Sequence, residues 1–478
     1  MYERSDCARW PAFLGTMVLL ATLCGCNSIG GPGENECAGA DAGCGPGVNC
    51  CPGLNCVDGT CVPVGGEGED EGENSAAAGG EGEVEGLPDG SSGVGGPVTE
   101  PGVLTAGAFD DNLNLGVYED FVSLFQQADA AGAWPAIDLG RRIIISVVNE
   151  SGEPIGDARV VVAPADPEQQ AQPLIDLPTR ADGRVVFSTI MDGATRQQTR
   201  YTLNAYPPGG GEPVGVSVLS DADAWEVTLP GANSTLPTRL DLAFVVDATG
   251  SMADELDYLT AEVAAIAAGV GQRHPTVNTR YALVVYRDDG DEYLTRTFDF
   301  TDSLAAFEQD LATQFAQGGG DYPEAMHLAL EEAQGLSWRT SETARVLFLI
   351  ADAPPHSEFA QRTLDAVMAL RSAGVAVYPV AASGVADEAE YLMRTAALFT
   401  LAEYCFLTDD AGVGNPHAEP HIPCYHVERL NDLMVREIAS ELSGQRIYPD
   451  PQDVLRTVGN PVDGVCLNEE GLPESQQQ

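Results

Sequence analysis

The chain has 478 residues, more than one ordinary domain needs, and 73 acidic against 23 basic side chains give it a formal charge of -50. Every basic residue is Arg, since no Lys occurs. So acidic a surface repels nucleic acid and anionic headgroups, which argues against both as partners, and a lysine-free chain cannot build a Gly-x-x-x-x-Gly-Lys phosphate loop.

At the N-terminus, Arg4 and Arg9 precede the apolar stretch "PAFLGTMVLLATLCGC", which has the length of a secretory h-region and is too short to span a membrane. Residues 1–25 are therefore expected to be a signal peptide. The end of the stretch, "LCGC", resembles the bacterial lipobox. That resemblance implies lipidation at Cys26, and Asn27 in place of Asp implies delivery to the outer membrane or cell surface. No later apolar run reaches spanning length, so attachment is expected through lipid alone.

Residues 26–62 hold six crowded cysteines, Cys37, Cys44, Cys50, Cys51, Cys56 and Cys61. An even number in an exported segment with almost nothing apolar to bury reads as a disulfide framework. A zinc site is the competing reading, with no His nearby. Spacing alone leaves the pairing open. The order, with its adjacent pair, resembles the knottin, which implies Cys37 with Cys51, Cys44 with Cys56 and Cys50 with Cys61. Residues 63–101, rich in Gly and Glu, read as a disordered acidic tether.

Residues 102–140 read as a connecting segment with a helix in "YEDFVSLFQQADAAG". From 141 to 230, alternating segments such as "RIIISVV", "DARVVV" and "GRVVFSTI" predict short strands joined by turns, and so a small all-β sandwich. "SGEPIGDARVVV" with "TRADGRVVF" resembles carboxypeptidase regulatory-like, transthyretin-related domains; with no catalytic set in the segment, a scaffold role is expected.

Between 237 and 444 the apolar runs "LDLAFVV", "YALVVY", "ARVLFLI" and "GVAVYPVAA" alternate with amphipathic helical segments. That pattern predicts a doubly wound α/β domain with a mostly parallel sheet, whose ligand site lies at the carboxyl ends of the strands. Residues 445–478 form a C-terminal tail. The whole is thus a multidomain chain: a disulfide-rich module, an all-β sandwich and an α/β domain.

Three of the α/β domain's strand ends carry oxygen ligands. "VVDATGSM" offers Asp247, Thr249 and Ser251 at a spacing of two; "GGGDYPEA" offers Asp321 after glycines that permit close backbone approach; "LIADAPPH" offers Asp352. Hard oxygen donors without sulfur suit Mg²⁺, Ca²⁺ or Mn²⁺, and carboxylates gathered without a cation repel. The set resembles the metal-ion-dependent adhesion site of the von Willebrand factor type A domain. Thr249 stands for the first Ser of that family's Asp-x-Ser-x-Ser pattern, and Asp321 replaces its usual Thr. The resemblance implies metal roles for Asp247, Thr249, Ser251 and Asp352, with Mg²⁺ the first choice, and binding of a protein ligand. The extra carboxylate implies tighter cation binding and less reliance on an acidic group from the partner.

Other constellations compete. Asp352 near His356 could pose as a catalytic pair, and His417, His421 and His426 with Cys424 have types a zinc could use. These support a metallohydrolase as the runner-up. A third reading gives the cation a purely structural role. For "NPHAEPHIPCYH" a loop pinned by a disulfide through Cys424 is favoured, which leaves one of Cys405, Cys424 and Cys466 over. The expectation is a non-enzymatic, lipid-anchored surface protein that binds a protein partner through a divalent cation.

Overall fold

The computed structural model describes residues 54–57, 60–63, 102–165, 172–254, 256–320, 322–382, 384–412 and 420–474. Contacts divide the chain into residues 1–92 and 93–478. In the first unit, β1 (Leu54–Val57) and β2 (Thr60–Pro63) pair antiparallel, with Cys56 opposite Cys61. Cys26, Cys37, Cys44, Cys50, Cys51 and the side chains of Cys56 and Cys61 lie outside the described residues, as do Asp321 and His417.

The second unit opens with β3 (Thr105–Phe109) and α1 (Leu115–Ala128). Two small sheets follow. One has the order β10-β4-β7 and the other β6-β5-β8-β9, from β4 (Arg142–Val148), β5 (Arg159–Pro164), β6 (Ile175–Pro178), β7 (Arg184–Ser188), β8 (Arg200–Tyr206), β9 (Val214–Leu219) and β10 (Ala224–Thr228). Along β4 every second residue is buried, so the period-two pattern sends Ile143, Ile145 and Val147 into a core shared with Val160, Leu203 and Trp225.

A nine-stranded sheet dominates the rest, in the order β13-β12-β11-β14-β15-β16-β3-β17-β18. Its later members are β11 (Arg239–Asp247), β12 (Asn278–Tyr286), β13 (Thr295–Thr301), β14 (Thr343–Ala351), β15 (Ala376–Ala381), β16 (Tyr404–Thr408), β17 (Tyr425–Arg429) and β18 (Arg456–Val458). β12, β11, β14, β15 and β16 run parallel, whereas β13 and β3 oppose their neighbours. The helices are α2 (Leu256–Arg273), α3 (Leu304–Leu311), α4 (Met326–Gln334), α5 (Ala360–Ser372), α6 (Asp387–Thr400) and α7 (Leu430–Ser443).

Alternation along β11 builds a core on each face. Phe244 and Val246 pack with Val263, Phe307 and Ile438 from α2, α3 and α7, while Ala243 and Val245 pack with Leu330, Leu370 and Met393 from α4, α5 and α6. Strands buried on both faces need apolar residues at every position, which is why the runs look continuous in sequence. The sheet also reaches beyond residues 237–444: β3 comes from the preceding connecting segment and β18 from the tail.

Cys424 and Cys466 form a disulfide that ties the start of β17 to β20 (Val465–Cys466), the second strand of a hairpin with β19 (Pro461–Val462). Cys405 is a buried free thiol.

The candidate metal centre

Parallel pairing sets the site. The register of β11 with β14 matches Val246 with Ile350, so Asp247 and Asp352 emerge side by side at the carboxyl ends of two central strands. Both are buried, at 0% and 3% exposure. Beyond Asp247 the chain turns at once. Asp247 Oδ1 accepts hydrogen bonds from the Thr249 backbone N (2.9 Å) and Oγ1 (2.6 Å), and Thr249 Oγ1 lies 3.1 Å from Ser251 Oγ. The spacing of two therefore lines three oxygens along one arc.

The glycine loop closes over this arc. Gly250 N donates to the Gly318 carbonyl at 3.0 Å. Gly319 has φ +73°, and a Cβ there would lie 2.9 Å from Glu324 Oε1 and 3.2 Å from Thr249 Cβ, so only glycine lets the loop come this close. Tyr322 holds the third strand end: its hydroxyl is shared between the carbonyls of Asp352 (2.8 Å) and Gly384 (2.9 Å).

Glu324 is the residue that sequence reasoning missed. It is 2% exposed, and its backbone bridges to Pro355 beside Asp352. Burial, and then the charges of Asp247, Asp288, Asp352 and Asp291, push its carboxyl up to about 9. Burial, and then Asp352, push Asp247 up to about 7, opposed by the Thr249 hydrogen bonds. The signal was present in "GGGDYPEA", where a second acid follows Asp321 by three residues.

These residues fit a hard cation. Asp247 Oδ2 and Glu324 Oε2 are buried without a hydrogen-bond partner, a costly condition for a carboxylate. The Tyr286 hydroxyl is near enough to favour ionised Asp247 but lies outside bonding geometry. The donors are all oxygen, which suits Mg²⁺, Ca²⁺ or Mn²⁺. Among the described residues no three His, Cys, Asp or Glu side chains are gathered in ligating geometry. Asp247, Thr249 and Ser251 line one arc, and the charge of Asp352 acts on Asp247 from the neighbouring strand end.

Among the described residues the competing constellations do not assemble. His356 Nε2 lies 3.2 Å from Asp288 Oδ1, so that His is held by a different acid from the one proposed as its catalytic partner. His421 Nδ1 lies 2.8 Å from Glu390 Oε2, and His426 Nδ1 2.9 Å from Thr457 Oγ1, each in its own surroundings. Cys424 is committed to its disulfide.

A doubly wound sheet with this turn at the end of its first central strand defines the class. Residues 241–391 match the family described as the von Willebrand factor A domain, and such a domain is present there. Over 118 residues the chain is also 30% identical to a protein named alpha-protein kinase vwkA from Dictyostelium discoideum, a match covering 24% of this chain and 19% of that protein.

Proposed function

We propose that the von Willebrand factor A domain binds a divalent cation, Mg²⁺ foremost, and through that site holds a protein partner. The observation that carries this reading is the pair of buried, unpartnered carboxylate oxygens on Asp247 and Glu324 beside Asp352. Asp247, Thr249, Ser251 and Asp352 would hold the cation, with Asp321 as a further carboxylate. A bound cation offsets the repulsion among the acids and offers an open coordination position to a partner's oxygen. The chain's own part is to fix the Thr249 and Ser251 hydroxyls through Asp247 and to hold the glycine loop against them.

In this reading the protein acts by binding rather than catalysis, and the kinase activity in the name of vwkA stays with that protein. The chain is exported and anchored in the outer membrane or cell surface through lipid on Cys26. A disulfide-rich knottin-like module and an acidic tether then carry a carboxypeptidase regulatory-like sandwich, which serves as scaffold for the A domain. Pull-down from surface extracts by the full chain, with Mg²⁺ and with chelator, tests the reading. A partner retained only with Mg²⁺, and lost with Asp352→Ala, is expected. A partner retained equally in chelator would contradict it.

A further inference from the structure

Away from the cation site, α1 and α6 border an open groove of about 720 Å³. Its floor is apolar and partly exposed. Leu124 is 67% exposed on α1, Phe125 stacks on Tyr391 with centroids 4.1 Å apart, and Trp134 meets the edge of Phe125 at 6.4 Å. Among the described residues the rim is acidic, formed by Asp120, Asp129, Asp387, Glu388 and Glu474, and no Arg lines it. Asp387 and Glu388 occupy the first turn of α6, the end of the helix that carries its exposed backbone N–H groups. The Asp129 carboxylate accepts from the backbone N of Ala133 (3.0 Å) and Trp134 (2.9 Å), which holds its carboxyl below the usual range.

The groove is also preformed. Those two bonds fix the turn that carries Trp134, and Tyr391 Oη donates to the Pro135 carbonyl at 2.7 Å. Aromatic faces ringed by carboxylates attract a cation on an apolar stem, as guanidinium and ammonium side chains present it. The volume exceeds what a single side chain fills and falls in the range of sites for larger ligands.

Charge decides the source of the occupant. Residues 26–101, 166–171, 413–419 and 475–478 contain no Arg or Lys, Arg4 and Arg9 lie within the proposed signal peptide, and a second copy brings its own charge of -50. We infer that the groove between α1 and α6 docks a short basic and apolar segment of a partner polypeptide, independently of the cation site.

The test uses the full chain in excess chelator and a fluorescein-labelled decapeptide of alternating Arg and Leu, read by anisotropy. Decapeptides of alternating Glu and Leu and of alternating Arg and Ser serve as controls. The Arg/Leu peptide is expected to bind, the Glu/Leu peptide to fail, and the Arg/Ser peptide to bind more weakly. Asp387→Asn with Glu388→Gln, and separately Leu124→Ser at its exposed position, should each weaken the Arg/Leu peptide roughly fivefold. Asp223→Asn with Glu226→Gln changes the charge equally on a distant exposed strand and should leave binding unaltered. Absence of binding, equal binding of the two Arg peptides, or equal loss in the rim and control pairs would overturn the inference. So would self-association of the chain that Leu124→Ser abolishes, because it would assign the groove to a second copy. Since chelator is present throughout, these outcomes are separate from the fate of the cation reading.

Discussion

Asp247 is held at a strand end where burial and Asp352 both oppose its charge, so the fold bears an electrostatic cost there that a cation offsets. Asp247→Asn removes the charge with little change in shape. In chelator that variant should melt no lower than the parent chain, while the rise in melting temperature with Mg²⁺, which follows mass action, should vanish. A thermal scan across Mg²⁺ concentrations checks both. Burial and the neighbouring acids push the Glu324 carboxyl up to about 9, so without a bound cation it holds a proton at pH 7. Glu324→Gln should therefore fold with stability within about 1 kcal/mol of the parent, measured by urea unfolding in chelator. His327 contributes one part of the pH dependence, opposite in sign to that of the raised carboxyls of Asp247 and Glu324. It stacks on Phe359 with centroids 4.2 Å apart, and burial, with Arg362 second, lowers its pKa to about 4. The unfolded chain, near the ordinary value of about 6.5, takes up the proton first. The stability His327 contributes is therefore present above that value and is lost as pH falls toward 4, by no more than about 3 kcal/mol. His327→Phe should flatten this part of the stability profile relative to the parent.

At the scale of elements, the strands buried on both faces were legible because their apolar runs are long and helices separate them. β3 was not. "TAGAF" is short and carries small residues where β16 and β17 close in, and a Cβ on Gly107 would meet the Phe406 ring at 2.6 Å. A strand selected to make room for its neighbours loses the apolar signature of a strand. The hydrogen-bonded arc of Asp247, Thr249 and Ser251 was legible from spacing, since every residue in it lies within one turn. Glu324 was not, because its role depends on a bridge to Pro355, which is distant in sequence. The partner of Cys424 was also beyond sequence; geometry pairs it with Cys466, 42 residues on, and leaves Cys405 buried. Cys466→Ser should lower unfolding stability by ~2–4 kcal/mol. Arg180, from the turn before β7, donates Nη1 to the Thr400 carbonyl at 2.8 Å and Nε to Glu441 Oε2 at 3.2 Å, bridging to α6 and α7. Arg180→Met leaves Glu441 buried without that partner and should cost ~3–5 kcal/mol, read by denaturant unfolding.

For the whole molecule, composition set the terms. A charge of -50 and the absence of Lys disfavour phosphate loops and nucleic acid and favour cations and basic partners, the ligand classes of both proposed sites. The sheet places the Asp247 and Asp352 strand ends together, and its loops make the acids converge where water is largely excluded. In the proposed function these acids gather to hold a metal ion. Calorimetric titration of Mg²⁺ into the full chain and into its Asp247→Ala form tests it most directly. A saturable site in the parent that is absent from the variant is the expected result; indistinguishable titrations would show that the turn after β11 only caps the strand.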